Sequence, residues 1–197
     1  IDPQQHIRNA LDLCTGSGCL AVLLAKVFRR ANVDAVDLSA TALEVARQNL
    51  VLHRLAKRIR LVESDLFSTL GRKRYDLIIS NPPYFIGQLP PRDPQRKRFR
   101  HSDGGFVDGF ASVCDRFLAT DGMVCLVIPA GMESYWSFRL AQKGLILNRQ
   151  IAVRYNVVSS PSCILVSYSR GAKCLLNEEM VMQDPDGLPD DHYMEFM

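Results

Sequence analysis

The chain has 197 residues, of which 47% are hydrophobic and 23% charged, with a formal net charge of +3. That size and balance exclude a disordered or fibrous polymer and leave room for one domain with a full core. No apolar run approaches the about 18 residues of a membrane span and no secretory leader opens the chain, so a non-membrane, cytoplasmic protein is expected.

Residues 10–13 are a short apolar run that meets the turn-forming Thr15-Gly16-Ser17-Gly18, after which Leu20, Leu23, Leu24, Val27 and Phe28 recur at helical spacing. A strand over 32–37 is predicted to stop at Asp37; Ser39 and Thr41 then offer helix caps, Thr41 with Glu44 fitting a capping box, for a helix carrying Leu43, Ala46, Leu50 and Leu55. Two further strands are predicted over 59–62 and 75–79, the second closed by Asn81-Pro82-Pro83. Residues 86–105 lose periodicity and read as an exposed loop. Helix 106–118, a buried strand over 123–128 and helix 132–143 follow. The last strands, 150–157 and 163–169, are joined by Ser159-Ser160-Pro161-Ser162 and predict an antiparallel hairpin. The order predicts an α/β protein: a mostly parallel central sheet, helices on both faces, and a C-terminal antiparallel hairpin. This pattern resembles the Rossmann-like class I methyltransferase fold. Residues 1–177 are expected to form one catalytic domain and 178–197 an acidic, solvated tail. Because the first residue is Ile1 and a strand begins almost at once, an upstream segment is also expected.

Asp12-Leu13-Cys14-Thr15-Gly16-Ser17-Gly18 lies where open α/β sheets bind ligands, at the carboxyl end of the first strand. It lacks the third glycine of a pyrophosphate turn and the lysine of a phosphate loop, which argues against NAD, FAD and ATP. Asp37 ends the second strand, where a carboxylate can accept from ribose hydroxyls, and Asp65 follows the third, where it can accept from an adenine amino group. These three acids at successive strand ends resemble the motifs of S-adenosylmethionine-dependent methyltransferases. The resemblance implies a cofactor held by Asp12, Cys14, Thr15, Gly16, Gly18, Asp37, Leu38, Asp65, Leu66 and Asn81. The six cysteines, without a C-x-x-C pair or zinc-finger histidines, read as reduced and mostly buried thiols, and no metal is expected.

Ser80-Asn81-Pro82-Pro83-Tyr84-Phe85 carries the chemistry. The prolines lock the backbone, so the Asn81 side chain and the Pro82 carbonyl point in fixed directions and can grip the two hydrogens of a conjugated NH₂ group, while Tyr84 stacks on its plane. N-P-P-Y resembles the catalytic motif of adenine N6-methyltransferases and of protein glutamine N5-methyltransferases, which implies nitrogen as the methyl acceptor. Up to Tyr84 the chain resembles the glutamine methyltransferases of ribosomal protein L3. After it, the chain resembles the tRNA(Val) adenine-37 N6-methyltransferases.

The charge is unevenly spread. Residues 178–197 sum to −7 and the rest to +10, and Arg92, Arg96, Lys97, Arg98 and Arg100 against Asp93 give the stretch 92–101 a charge of +4 beside the catalytic turn. Such a loop suits RNA phosphates, and Phe99 could stack on a base. The expected reaction is methyl transfer from S-adenosylmethionine to N6 of an adenine in RNA, at position 37 of a tRNA. The alternative is a glutamine of a ribosomal protein or release factor. His101 and Trp136 are read as surface and packing residues, and a monomer is favoured.

Overall fold

The computed structural model describes residues 6–65, 70–83, 105–171, 174–184 and 186–190. The described elements are, in chain order, β1 (Asn9–Leu13), α1 (Cys19–Val27), β2 (Asn32–Asp37), α2 (Ala40–Leu52), β3 (Ile59–Glu63), β4 (Tyr75–Ser80), α3 (Gly105–Phe117), β5 (Leu118–Pro129), α4 (Glu133–Ala141), β6 (Leu145–Arg154), β7 (Cys163–Arg170) and β8 (Leu176–Val181). They build one eight-stranded sheet in the order β3-β2-β1-β4-β5-β7-β6-β8. Strands β1 to β5 run parallel, and β7 runs antiparallel to both β5 and β6.

Burial on both faces explains why the inner strands read as continuous apolar runs. Ala10, Val33, Ala35 and Leu77 pack under α1 and α2 with Ala21, Leu24 and Leu50. Leu11, Leu13, Ile78, Val124 and Leu126 pack under α3 and α4 with Phe110, Phe117 and Trp136. Trp136 meets Phe110 edge to face at 5.3 Å, so its role is packing, as expected from the sequence. Arg58 holds the end of α1 by donating to the carbonyls of Ala25, Phe28 and Ala31 at 2.7–2.8 Å. Among the described residues, no helix is long and apolar enough to cross a membrane.

Four expectations are corrected. Of the two caps offered for helix α2, Ser39 is the one used, its hydroxyl accepting from the Ala42 N–H at 3.2 Å; the Thr41–Glu44 capping box does not form, because both residues lie inside the helix and Glu44 pairs with Arg47. Strand β6 starts at Leu145 rather than 150, with a register shift between Leu147 and Arg149 that leaves Asn148 as an extra residue. The expected start of an acidic tail at 178 falls inside β8, which pairs parallel to β6. Arg149 grips Glu178 through two bonds of 2.8 and 2.7 Å and Arg154 meets Glu179 at 3.1 Å, so these acids join the sheet rather than solvent alone. All six cysteines are free thiols, but only Cys114 is fully buried; Cys14, Cys125 and Cys163 are half-buried, and Cys19 and Cys174 are exposed.

Strands β2, β3 and β4 are also tied by charge. The Asp34 side chain is only 4% exposed and accepts from Arg60 at 2.8 Å, Lys73 at 3.1 Å and the Tyr75 hydroxyl at 2.7 Å. Burial alone would raise its pKa, but hydrogen bonds from Arg60, Tyr75 and Lys73 outweigh burial and hold it below the ordinary aspartate value. A depressed folded pKa adds stability that is present above the unfolded value and is lost as pH falls through the folded one. Asp34→Asn should therefore lower the melting temperature at pH 7 by the equivalent of about 1–3 kcal/mol. It should also flatten the decline below about pH 4, which thermal melts across pH would record.

Candidate active site

The chain crosses from β3, at one edge, to β4 on the far side of β1, so the winding reverses between β1 and β4. In open α/β sheets the crevice at such a reversal, beyond the carboxyl ends of the strands, is where ligands bind. The two motifs singled out in the sequence converge there. Leu13 stands opposite Ser80 in the β1–β4 register, which sets residues 14–18 beside Asn81 and Pro82.

The β1–α1 turn is held from several sides. The Thr15 N–H donates to the Val36 carbonyl and the Gly18 N–H to the Thr15 carbonyl, both at 2.9 Å. The Gly16 N–H donates to one Asp37 carboxylate oxygen at 2.8 Å, and the other accepts from the Ser39 N–H at 2.9 Å. Asn49 reaches from α2 to the Ser17 carbonyl at 2.9 Å. Gly16 and Gly18 take positive φ values of 56° and 81°. A Cβ at Gly18 would stand 3.1 Å from the Ala46 Cβ, so the glycine also allows α1 to start close against α2. Cys14 adopts φ 59° without being glycine, a conformation with a cost of order 1–3 kcal/mol that such sites hold only when their surroundings enforce it.

Electrostatics separate the acids. Asp12 is fully buried, and its Oδ2 accepts from the Thr15 hydroxyl at 2.5 Å. Among the described residues, its Oδ1 is buried without a hydrogen-bond partner. Burial pushes its pKa up to about 7, the Asp37 charge adds to the rise, and the Thr15 hydroxyl and the Ala21 N–H oppose it. Burial likewise pushes the Cys14 thiol up to about 12, with Asp37 and Asp12 adding to it, so Cys14 stays a neutral thiol and no nucleophile. Asp65 is exposed just past β3, and Ser64, before it, is buried and donates its N–H to the Asp37 carbonyl at 3.0 Å. Asn81 is exposed at the end of β4, Pro82 is buried and Pro83 exposed.

The structure thus brings together Asp12, Cys14, Thr15, Gly16, Gly18, Asp37, Leu38, Asp65, Asn81 and Pro82 at the carboxyl ends of β1 to β4. Leu66, Tyr84, Arg92, Arg96, Lys97, Arg98, Arg100, Phe99 and His101 lie outside the described residues. Two positions were missed from the sequence. Ser80 and Asn49 carry ordinary residue types, and only the fold reveals that each reaches the β1–α1 segment across long sequence separations.

These residues fit an aminoacyl nucleoside. An orphaned oxygen on a buried carboxyl calls for a donor, and a carboxyl this raised is stabilised by a cation such as an α-ammonium group. The space beyond Gly16, where nothing lies within 4 Å of an added Cβ, leaves its backbone open to approach. Each Asp37 oxygen accepts one internal N–H and keeps a second acceptor site for hydroxyl groups.

Comparison with known proteins agrees with this geometry. Residues 2–133 match the family model of the methyltransferase small domain. The ribosomal protein uL3 glutamine methyltransferase of Bradyrhizobium diazoefficiens is 45% identical over 143 residues, covering 68% of this chain and 44% of the relative. The chain thus spans less than half the length of that relative. The tRNA1(Val) (adenine(37)-N6)-methyltransferase of Aeromonas hydrophila is 32% identical over 194 residues, covering 98% of this chain and 82% of the relative. Among solved structures, the ribosomal protein L11 methylase of Lactobacillus delbrueckii subsp. bulgaricus superposes with a TM-score of 0.63 at 21% identity, over 86% of this chain and 72% of that one, a likeness of fold. The chain belongs to the methyltransferase small domain family, with a Rossmann-like class I fold and S-adenosylmethionine as its cofactor.

Proposed function

We propose that this protein transfers a methyl group from S-adenosylmethionine to the exocyclic N6 of an adenine in RNA, at position 37 of a tRNA. The observation that carries the reading is the extent of the likeness. The tRNA-modifying relative aligns with 98% of the chain, whereas the uL3-modifying relative aligns with 68%. The basic stretch Arg92, Arg96, Lys97, Arg98 and Arg100, directly after the catalytic turn, supports a polyanionic substrate.

In this reading the Asn81 side-chain oxygen and the Pro82 carbonyl accept the two hydrogens of the adenine amine. That withdraws the nitrogen lone pair from the ring and directs it outward. Tyr84 stacks on the base. Bound S-adenosylmethionine supplies an activated methyl and departs as the thioether. The methylated nitrogen loses one proton to solvent, so the site needs no dedicated base. Asp12, Asp37 and Asp65 hold the cofactor, and the basic loop holds phosphates near the target.

A second reading is favoured by one observation, the 45% identity to the uL3 glutamine methyltransferase over 143 residues, 68% of the chain. A glutamine side-chain amide offers the same planar NH₂ to the same two acceptors. A labelled-methyl assay on bulk tRNA and on ribosomal proteins distinguishes the two. Label on tRNA adenine is expected, and label confined to protein glutamine overturns the RNA reading.

Three variants sharpen the test. Asn81→Ala should lower the transfer rate by about a hundredfold or more, a larger loss than any weakening of cofactor binding measured by calorimetry. Replacing Arg96, Lys97 and Arg98 together by Ala should weaken RNA binding and reduce its salt dependence by roughly one slope unit per lost phosphate contact, as filter binding at several salt concentrations would measure. Asp12→Asn should weaken cofactor binding by about tenfold or more. The folded-state pKa of Asp12 is raised from 3.8 to about 7, so its burial costs stability increasingly as pH rises from 4 through 7. The cofactor-free Asn variant should therefore melt higher than the parent at pH 8, with the advantage vanishing near pH 4.

A further inference from the structure

Ser80 is fully buried, one residue before the Asn81-Pro82 turn, between Leu13 of β1 and Leu126 of β5 in the sheet register. A hydroxyl in such apolar surroundings is unfavourable unless it is bonded. Its O–H donates to the Leu13 carbonyl at 2.6 Å, a buried bond between residues 67 apart in sequence. Its place matters more than its strength. Leu13 and Ser80 form the last opposed pair of the β1–β4 ladder. Past Leu13, β1 leaves the sheet through Cys14 at φ 59°. Past Ser80, β4 leaves through Asn81 into two prolines that have no N–H with which to extend the ladder. The hydroxyl therefore ties together the two points where the cofactor turn and the acceptor turn depart. It also lies against the Cys14 thiol, where it opposes the upward pull of burial.

We propose that Ser80 is a positioning residue that sets the distance between the two halves of the site. Its bond to Leu13 fixes where Asn81 and Pro82 stand relative to residues 14–18. This rests on the reading of Asn81 and Pro82 as the groups that orient the amine, but not on which molecule carries that amine. In-line transfer between a methyl held by one turn and a nitrogen held by the other is sensitive to displacements of about 1 Å, which can lower rate by about a hundredfold. A tie at the root of both turns controls that displacement without touching either reactant.

The test compares Ser80→Ala and Ser80→Thr with Ser169→Ala, which removes another buried hydroxyl, bonded by Asn148 at 2.8 Å, from β7 opposite Met123 in the middle of β5. Amide hydrogen exchange is measured with and without S-adenosylhomocysteine. In the unaltered protein and in Ser169→Ala, this product should slow exchange both at residues 12–18 and at the amides of 79–81. In Ser80→Ala the protection should reach 12–18 but not 79–81, and Ser80→Thr should restore it. With whichever substrate accepts label, Ser80→Ala should lower kcat by about ten- to a hundredfold with the cofactor Kd within about threefold of the parent. Equal protection of 79–81 in Ser80→Ala, or equal loss in Ser169→Ala, overturns the proposal. Label on glutamine instead of adenine overturns the substrate reading while leaving the exchange result decisive.

Discussion

The site depends on one carboxylate acting as a joint. Asp37 receives the Gly16 N–H on one oxygen and the Ser39 N–H on the other, so the end of β2, the cofactor turn and the start of α2 meet at a single side chain. With Ser39 caught in this way, its own hydroxyl caps α2, and α2 then supplies Asn49 to the Ser17 carbonyl and Ala46 to the space against Gly18. The acid proposed to hold the cofactor is thus also part of the frame of the β1–α1 turn. Its removal would alter both at once, so Asp37 is a poor place to separate binding from folding.

Asp12 works differently. It is sealed beneath the turn, and one of its oxygens has no hydrogen-bond partner among the described residues. Its cost to the empty protein is offset only when a donor or cation arrives, which links occupancy of the site to the stability of the fold. Cys14 lies between the two acids, and their charge together with burial keeps its sulfur protonated. A thiol at the centre of the site is therefore chemically quiet.

Much of this was legible in the sequence because the information is local. The runs ending at Leu13, Asp37 and Ser80 are buried on both faces and stop at glycine, acid and proline, so strand ends and site residues are marked by the same letters. What was not legible depends on distant partners. Leu145 to Leu147 falls between the predicted helix 132–143 and the predicted strand from 150, and only pairing with β7 makes it strand. Leu176 to Val181 carries two adjacent glutamates and looks solvated until Arg149 and Arg154 are placed beside it. The Ser80 hydroxyl gives no sign in the sequence of the carbonyl it finds 67 residues earlier.

Strand β8 closes one margin of an eight-stranded sheet that ends at β3 on the other. An open margin is a row of unpaired N–H and C=O groups that invites strands from other molecules. Here the margin strand carries charged rather than apolar side chains at Glu178 and Glu179, each paired with an arginine of β6, and a charged edge is a poorer template for another strand. The acids that the sequence assigned to a trailing segment thus tie β8 to β6 and keep its edge from presenting an apolar strand.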